Sequence, residues 1–440
     1  MKFIFLIFYF EGLKKILIRS LFYLNQLVRN LRLEPSELQE IQRKRLRAII
    51  KHAYENVPFY HRKFNEVCVK PDDVKSLADL SKLPIITKQD IQSAPLSDII
   101  ARNINLNKCT KRTTSGSTGF PLTIYVDHNT VDYENALWTR LFLENGLKIF
   151  DKMAVIADPR VFPKNKIYQH LFMKRRYTSI FDTAERQFQL LREFNPDAIK
   201  GYPSSLIMFA NYCNNQENRI KPRLVFTSAE LLDAFSRKII NSLFKVNLID
   251  NYACTEFGLL SWECREHNGY HINVENTVLE FVDNDDYSVA FGERGEIICT
   301  GLLNKVMPLI RYRINDIAIP KKEQCSCGRT LPMLEMVEGR KDDFIKATDG
   351  RLFPPTIFFP YPFECLKGIR QFRIIQRKRT EISIQLSVDS SFSDRSKVFD
   401  KARKEMQRLF GEDMQINFQI LDIIPKDPNG KLRKVLSIEQ

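Results

Sequence analysis

The chain has no apolar run long enough to cross a bilayer. Its first ten residues are apolar apart from Lys2, but Glu11 ends this run, and no small-residue cleavage site of a signal peptide follows. We therefore expect a cytoplasmic protein. The nine cysteines fit a reducing compartment, where paired cysteines bind metal more often than they form disulfides.

Two further absences narrow the function. The formal charge of +14 attracts polyanions, yet no continuous basic stripe is interleaved with aromatic residues, so nucleic acid is not an expected partner. The main loop of hydroxyl residues and glycines does not end in Gly-Lys-Ser/Thr, which excludes a Walker A loop there. We also find no internal repeat and no low-complexity segment.

Length and composition predict a folded protein with more than one domain. The chain has 440 residues, of which 44% are hydrophobic and 27% are charged. Strand and helix alternate through the middle of the chain, which indicates α/β sheets, and strands dominate after Gly295. The last hundred residues or so have the length of one small domain, with an α+β pattern.

The predicted elements follow from hydrophobic periodicity and turn residues. Helices are expected at 36–56, 130–146 and 394–410, and another begins at Pro203 with a hydroxyl cap. Strands are expected at 122–126, 153–157, 224–227, 246–250, 296–300, 309–312, 317–319, 371–376, 381–387 and 415–421.

An amphipathic helix is expected within residues 1–35. Apolar residues recur at helical spacing from Leu13 to Val28, with lysines and arginines between them. Such a helix either rests on anionic lipid, at the inner face of the membrane, or packs against the main domain. We favour packing against the domain.

The most informative segment reads Thr-Thr-Ser-Gly-Ser-Thr-Gly at residues 113–119. Glycine permits close backbone approach, and each hydroxyl can donate a hydrogen bond, so this loop can wrap polyphosphate oxygens. Taken alone, such a cluster is more often an ordinary surface loop. The candidate phosphate contacts are Thr114, Ser115, Gly116, Ser117, Thr118 and Gly119.

Four other segments follow this loop in a fixed order. Residues 251–258 read Asn-Tyr-Ala-Cys-Thr-Glu-Phe-Gly, 311–316 read Arg-Tyr-Arg-Ile-Asn-Asp, 339–343 read Gly-Arg-Lys-Asp-Asp, and 425–431 read Pro-Lys-Asp-Pro-Asn-Gly-Lys. Together the five segments resemble the adenylate-forming (acyl-CoA synthetase) superfamily. Within it they resemble the phenylacetate–CoA ligase branch with its capsular polysaccharide biosynthesis relatives.

The resemblance implies an α/β architecture. A large N-terminal adenylation domain at 36–338, with α/β sheets and a β-rich subdomain, would be followed by a hinge at 339–343. The hinge contains Arg340 and Asp342. A small mobile α+β C-terminal domain would occupy 344–440.

The resemblance also implies residue roles. Thr255 would contact the α-phosphate of ATP, and Glu256 would help hold Mg²⁺. Asp316 would accept hydrogen bonds from the ribose, and Lys431 would stabilise charge during adenylation. The other expected nucleotide contacts are Ser228, Ala229, Glu230, Asn251, Tyr252 and Arg340.

Two positions depart from the wider superfamily pattern. Leu122 stands where most members have a lysine after the glycine loop, and the phenylacetate branch commonly lacks that lysine too. Ile314 and Asn315 precede Asp316 where Thr-Gly is usual, which leaves the local turn geometry open.

Two groups of cysteine and histidine suggest a metal site. Tetrahedral Zn²⁺ takes four nitrogen or sulfur ligands, commonly a pair from each of two loops. Cys264, His271, Cys325 and Cys327 would supply them, with His267 as an alternative to His271. The spacing is not that of a standard zinc finger, so two unligated loops are the other interpretation. We expect a structural zinc rather than a catalytic one.

Three functions stay open. The first is an acid–CoA ligase that uses ATP, Mg²⁺ and CoA to convert an aryl or small carboxylic acid into its thioester through an acyl-adenylate. The second is adenylation with another acceptor, in surface-polysaccharide biosynthesis or on a cofactor. The third is a non-catalytic module of a glycan-assembly system, which the presence of Glu256, Asp316 and Lys431 disfavours. A homodimer is a further open option.

Overall fold

The computed structural model describes residues 11–114, 121–162, 173–217, 219–358, 368–389, 392 and 395–437. Five residues of the predicted phosphate loop, 115–119, lie outside the described residues. The chain divides into two compact units. Unit 1 comprises Met1–Gly146, Asn251–Ile314 and Ala318–Met336, and unit 2 comprises Leu147–Asp250, Asn315–Ile317 and Val337–Gln440.

The described residues form ten α-helices. They are α1 (Glu11–Asn30), α2 (Pro35–Asn56), α3 (Pro58–Glu66), α4 (Lys88–Ser93), α5 (Leu96–Ile99), α6 (His128–Glu144), α7 (Ala184–Arg192), α8 (Pro203–Asn214), α9 (Ala234–Phe244) and α10 (Arg395–Phe410). Among these helices, none is both long enough and apolar enough to cross a membrane.

The described strands are numbered β1 to β19 along the chain. They are β1 (Thr110–Thr113), β2 (Thr123–Val126), β3 (Lys152–Ala157), β4 (Lys174–Ser179), β5 (Ala198–Gly201), β6 (Leu224–Thr227), β7 (Asn251–Cys254), β8 (Gly258–Glu263), β9 (Tyr270–Ile272), β10 (Thr277–Val282), β11 (Gly295–Gly301), β12 (Tyr312–Lys321), β13 (Met333–Arg340), β14 (Ile345–Lys346), β15 (Leu352–Phe353), β16 (Ile369–Lys378), β17 (Glu381–Val388), β18 (Gln415–Ile420) and β19 (Val435–Ser437).

Unit 1 carries most of a seven-stranded sheet with the order β10-β11-β12-β13-β9-β8-β7, and a separate β1–β2 hairpin. A fully buried ion pair joins Arg140 of α6 to Glu275 at 2.7 Å. The Asn273 side chain also accepts a hydrogen bond from Arg140, so the buried guanidinium has a second polar partner besides the carboxylate. Helix α1 packs on unit 1 through the buried Leu27 and an ion pair of 2.5 Å between Arg19 and Asp132.

Unit 2 contains two four-stranded sheets. The first is parallel, with the order β4-β3-β5-β6, and we call residues 147–250, which carry it with α7, α8 and α9, the parallel-sheet lobe. The inner strand β3 is a mostly apolar run with buried residues on both faces, as a central parallel strand requires, whereas the edge strand β4 is polar and largely unburied. The second sheet has the order β18-β17-β16-β19 and shares a hydrophobic core with α10. The predicted α/β fold, with its small α+β C-terminal part, is confirmed.

Most predicted elements are present, but three details were wrong. The segment 246–250 makes only one bridge, between Phe226 and Ile249, after the chain leaves α9 through the left-handed Lys245. The strand expected at 309–312 begins only at Tyr312, because Arg311 lies at φ +46°. Helix α8 has no hydroxyl cap, since Tyr202 is its N-cap residue. The strands that were not predicted are β1, β4, β5, β7, β8, β9, β10, β13, β14, β15 and β19.

Candidate active site and metal-binding cluster

The predicted phosphate loop extends from the β1–β2 hairpin in unit 1. The two strands pair from Thr110 with Val126 to Thr113 with Thr123. Beyond them, the Thr114 amide donates to the Leu122 carbonyl at 2.9 Å, and the Leu122 amide donates to the Thr114 hydroxyl at 2.8 Å. Thr114 therefore closes the base of the loop. Leu122, at the position of the superfamily lysine, is buried.

Thr255 and Glu256 lie in the tight turn between β7 and β8. Cys254 pairs with Gly258 across this turn, and Gly258 has φ +70°. A Cβ at Gly258 would lie 3.0 Å from the carboxyl carbon of Glu134. That carboxylate accepts two hydrogen bonds, of 3.0 and 2.6 Å, from Arg112 of β1. Glu134 therefore lies beside two elements: the turn that carries Thr255 and Glu256, and strand β1, which leads into the phosphate loop.

Asn251 and Tyr252, the expected adenine contacts on unit 1, lie on β7. Asn251 is buried opposite Trp262, and Tyr252 is half-buried opposite Ser261. The register shifts between Tyr252 and Ala253, which is a bulge or irregularity of the ladder. Such a bulge redirects the side chains that follow it, here those leading into the Thr255 turn.

Sheet topology brings the two predicted metal-binding pairs together. Cys264 follows β8, and His271 lies on β9, so both belong to the β8–β9 hairpin. Cys325 and Cys327 lie between β12 and β13, and β13 pairs with β9 through Met333 and His271. Because β9 and β13 are neighbours, the two loops meet at one end of the sheet. We call these four side chains the metal cluster.

The geometry of the metal cluster fits a tetrahedral ion. The four ligand atoms all lie within 4.8 Å of one another. The sulfurs of Cys264 and Cys325 are 3.6 Å apart, and the Cys327 sulfur is 3.4 Å from Nε2 of His271. Two sulfurs bound to one zinc at about 2.3 Å lie about 3.8 Å apart in a tetrahedron. His267 is not in this group; its Nδ1 lies 3.5 Å from Glu263.

The electrostatics of the metal cluster favour ligation. Burial, with the charges of Arg329 and Arg140, lowers the pKa of His271 to about 4, which keeps the imidazole neutral. Burial raises the pKa of Cys327, but hydrogen bonds from Arg329 lower it overall. By contrast, burial raises the pKa of Cys264 to about 12. A bound cation would stabilise the thiolate form of Cys264 and so lower this pKa.

In unit 2, candidate residues gather at the carboxyl edge of the parallel sheet. Asp158 follows β3, Tyr202 follows β5 and Ser228 follows β6. Ala229 lies in the left-handed region at φ +73°, a strained conformation that is common at ligand sites. Sequence reasoning missed Asp158, although its place directly after a buried strand was a usable signal, because ligands bind at this edge of open α/β sheets.

Asp316 and Arg340 also belong to unit 2 and form an ion pair of 3.8 Å. Asn315 adopts φ +67°, so it takes the left-handed conformation that glycine takes elsewhere in the superfamily pattern. This settles the turn geometry that the sequence left open. Nearby, burial raises the pKa of Asp343 to about 6, even though the charges of Arg433 and Arg340 oppose the shift.

Lys431 lies in a loop at 425–434 that we call the lysine loop. Its backbone is braced by bonds from the Asp427 amide to the Lys431 carbonyl (2.8 Å) and from the Gly430 amide to the Asp427 carbonyl (2.7 Å). Burial raises the pKa of Asp158, but hydrogen bonds from Arg160, and the charges of Arg160 and Lys431, lower it overall. The positive charge of Lys431 therefore lowers the pKa of a carboxylate at the carboxyl edge of the parallel sheet.

Known proteins share this chain's fold and sequence. The crystal structure of 2-hydroxyisobutyryl-CoA ligase in the postadenylation state is similar with a TM-score of 0.79 and 19% identity, over 93% of this chain and 91% of that one. The phenylacetate–coenzyme A ligase of Escherichia coli (strain K12) is 27% identical, over 94% of this chain and 99% of its own. Protein CapK of Staphylococcus aureus is 24% identical over 91% of this chain and 89% of its own. Residues 356–437 match the CapK C-terminal domain.

The fold is thus that of the adenylate-forming enzymes. In sequence, the chain is similar to the phenylacetate–CoA ligases and to CapK, and its C-terminal part matches the CapK C-terminal domain.

Proposed function

We propose that this chain is an AMP-forming acid–CoA ligase. A substrate carboxylate oxygen attacks the α-phosphorus of ATP, the bond to pyrophosphate breaks, and an acyl-adenylate forms. The sulfur of CoA then attacks the acyl carbon, and AMP leaves with the electron pair of the broken bond. The observation that carries the proposal is the match to a phenylacetate–CoA ligase over 94% of this chain.

Four residues, two in each unit, have proposed roles in adenylation. In unit 1, Thr255 contacts the α-phosphate and Glu256 supplies a carboxylate oxygen for Mg²⁺, which neutralises phosphate charge when bound. In unit 2, Asp316 accepts hydrogen bonds from the ribose, and Lys431 stabilises the negative charge that develops during adenylation. A lysine is suited to this role because adenylation brings two anions together.

Pyrophosphate exchange with a panel of aryl and small acids tests the proposal. We expect exchange with at least one acid and, after CoA is added, a stoichiometric thioester and AMP. The absence of exchange with every acid would contradict the proposal and favour a non-catalytic module.

A second candidate differs only in the acceptor. The C-terminal part matches the CapK C-terminal domain, which favours a role in surface-polysaccharide biosynthesis. In this case the acyl-adenylate would react with an acceptor other than CoA. Exchange with an acid, without consumption of CoA, would support this second candidate.

We also propose that Cys264, His271, Cys325 and Cys327 hold a structural zinc ion. The support is the fit of their spacing to a tetrahedron and the neutral state of His271. Three of the four side chains are buried. The ion would join the β8–β9 hairpin to the loop before β13, and no step of the reaction needs it.

Finally, we propose that the outer face of α1 rests on anionic lipid. Near its middle the helix exposes Ile18 (57%), Leu21 (44%) and Phe22 (64%), although Leu27 and Arg19 hold it to unit 1. Farther along, Arg29 and Arg32 are exposed as well. Apolar side chains followed by arginines match acyl chains beside anionic headgroups.

Sedimentation with phosphatidylglycerol vesicles tests this contact. The triple variant Ile18→Ser, Leu21→Ser, Phe22→Ser should lose binding. The double variant Ile149→Ser, Phe150→Ser, which changes equally exposed apolar residues elsewhere, should keep it. Equal binding by both variants, or a change of oligomeric state without a change in lipid binding, would contradict the proposal.

A further inference from the structure

The lysine loop is attached to the parallel-sheet lobe at the residue next to Lys431. The Leu432 amide donates a hydrogen bond of 2.7 Å to Oε1 of Glu230. The same oxygen accepts from the Ser204 hydroxyl at 2.9 Å, and Oε2 accepts from the Ser204 amide at 2.9 Å. One carboxylate therefore connects the start of α8 to the peptide bond that joins Lys431 to Leu432.

The start of helix α8 holds the Glu230 carboxylate independently of the lysine loop. The N-cap residue Tyr202 has no side-chain cap, and Pro203 follows it, so amides of the first turn need an outside acceptor. Glu230 accepts from one of them, and its charge suits the positive end of the helix dipole. With both oxygens held by Ser204, Oε1 is aimed at a fixed point, which the Leu432 amide occupies.

Two lysines attach the loop on either side of this contact. Lys426 donates to the Ser205 hydroxyl at 2.9 Å. Lys434 forms an ion pair with Asp233 and donates to the Ser236 hydroxyl. Because these bonds are made by flexible side chains, they tolerate small shifts of the backbone. The bond to Glu230 is made by the backbone itself, at the residue that follows Lys431.

We propose that Glu230 is a positioning residue for Lys431. Its carboxylate holds the backbone beside Lys431 so that the ammonium is placed for adenylation. This inference rests on the proposed function of Lys431. It also gives Glu230 a different role from the adenine-pocket wall that the family resemblance implies, and the two roles predict different kinetics.

The kinetic test compares Glu230→Ala with Glu185→Ala, which removes an exposed glutamate of the same lobe. We expect Glu230→Ala to lower kcat for pyrophosphate exchange about 10- to 100-fold, with KM for ATP nearly unchanged. Glu230→Gln, which keeps an acceptor oxygen, should recover part of the rate. Glu185→Ala should match the wild type. An increase in KM for ATP at unchanged kcat would overturn the proposal and support the pocket wall.

A double variant tests whether Glu230 acts through Lys431. In the Lys431→Ala background, Glu230→Ala should cause little further loss, because the positioned group is already absent. A further loss as large as that of the single variant would overturn the proposal.

Hydrogen exchange separates this inference from the proposed function. Glu230→Ala should remove protection from the amides of residues 430–434, whereas Glu185→Ala should leave it. This measurement does not require a substrate, so it remains informative if no acid supports exchange. Unchanged protection in Glu230→Ala would overturn the inference even if the ligase activity is found.

Discussion

The metal cluster of unit 1 and the lysine loop of unit 2 are both polar sites, but they are attached in opposite ways. The cluster is made of side chains on two loops of one sheet, and strand pairing through His271 and Met333 fixes their register. The lysine loop is attached to the parallel-sheet lobe by one carboxylate and two lysine side chains. The residues of the metal cluster can separate only if the sheet opens. The lysine loop can leave the parallel-sheet lobe when a few hydrogen bonds and one ion pair break.

This difference indicates what each site is built for. A group that must stay in place is tied to strand register, because register is set by many backbone hydrogen bonds at once. A group that acts in one of two half-reactions benefits from contacts that can be exchanged for water at small net cost.

Loss of one metal ligand should have the largest effect. Cys327→Ser should reduce bound zinc, measured by elemental analysis, from one equivalent to almost none. It should also lower the free energy of unfolding by about 4 kcal/mol, since the ion stabilises only the folded state. Cys68→Ser, which changes an exposed free cysteine, should alter neither quantity. Full zinc content in Cys327→Ser would show that Cys327 is not a ligand of the ion.

Asp343, beside the lysine loop, should make unit 2 less stable as the pH rises. Its pKa is about 6 in the folded protein and 3.8 in the reference state, so the folded state binds the proton more tightly. The protonated Asp343 therefore makes its full contribution to the free energy of unfolding below about pH 3.8, and this contribution is lost as the pH rises through about 6. Asp343→Asn stays neutral, and at pH 7 it should be more stable than the wild type by about 3 kcal/mol.

Urea unfolding between about pH 5 and pH 7 measures this effect, as a difference that grows with pH. Glu412→Gln, which neutralises an exposed carboxylate of unit 2, serves as the control and should show no such trend. A constant difference between Asp343→Asn and the wild type would contradict the assignment.

Gly430→Ala should stop the lysine loop from docking. Gly430 lies at φ +77°, and a Cβ there would be 2.1 Å from Cδ1 of Ile180. We expect about a 10-fold loss of pyrophosphate exchange. Gly292→Ala is the matched control, because it has φ +86° but no atom within 4 Å of the added Cβ. Similar activity of the two variants would show that close approach to Ile180 is not needed.

The turn before Asp316 should give the smallest effect. Asn315→Ala should destabilise the protein by about 1 kcal/mol, because alanine tolerates φ +67° less well than asparagine. Asn315→Gly should be nearly neutral by thermal unfolding. If alanine is tolerated as well as glycine, the left-handed turn at Asn315 does not constrain the position of Asp316.

Helices and strands whose pattern is set by their own residues could be predicted from the sequence. The buried run at 153–157 and the amphipathic segment at 36–56 became β3 and α2, because their periodicity is set by their own residues. The grouping of the four metal-cluster residues was also predicted, from their residue types and from the tendency of zinc sites to take a pair of ligands from each of two loops. The choice of His271 over His267 was left open, because it depends on which residue of the hairpin pairs with β13.

Long-range contacts were not predictable. Glu230 bonds to Ser204 and Leu432, which are 26 and 202 positions away in the chain. No local pattern marks such a contact, so a motif resemblance could only suggest a nucleotide role for Glu230. The prediction for segment 246–250 was wrong for a related reason: its apolar residues favour a strand, but only Ile249 forms a β-bridge.

We propose that Lys431 serves the first half-reaction. Lys431→Ala should abolish pyrophosphate exchange but still convert a supplied acyl-adenylate into the CoA thioester at close to the wild-type rate. Lys397→Ala, which removes an exposed lysine of α10, should leave both steps intact. Normal exchange in Lys431→Ala, or equal loss of both half-reactions, would contradict the account.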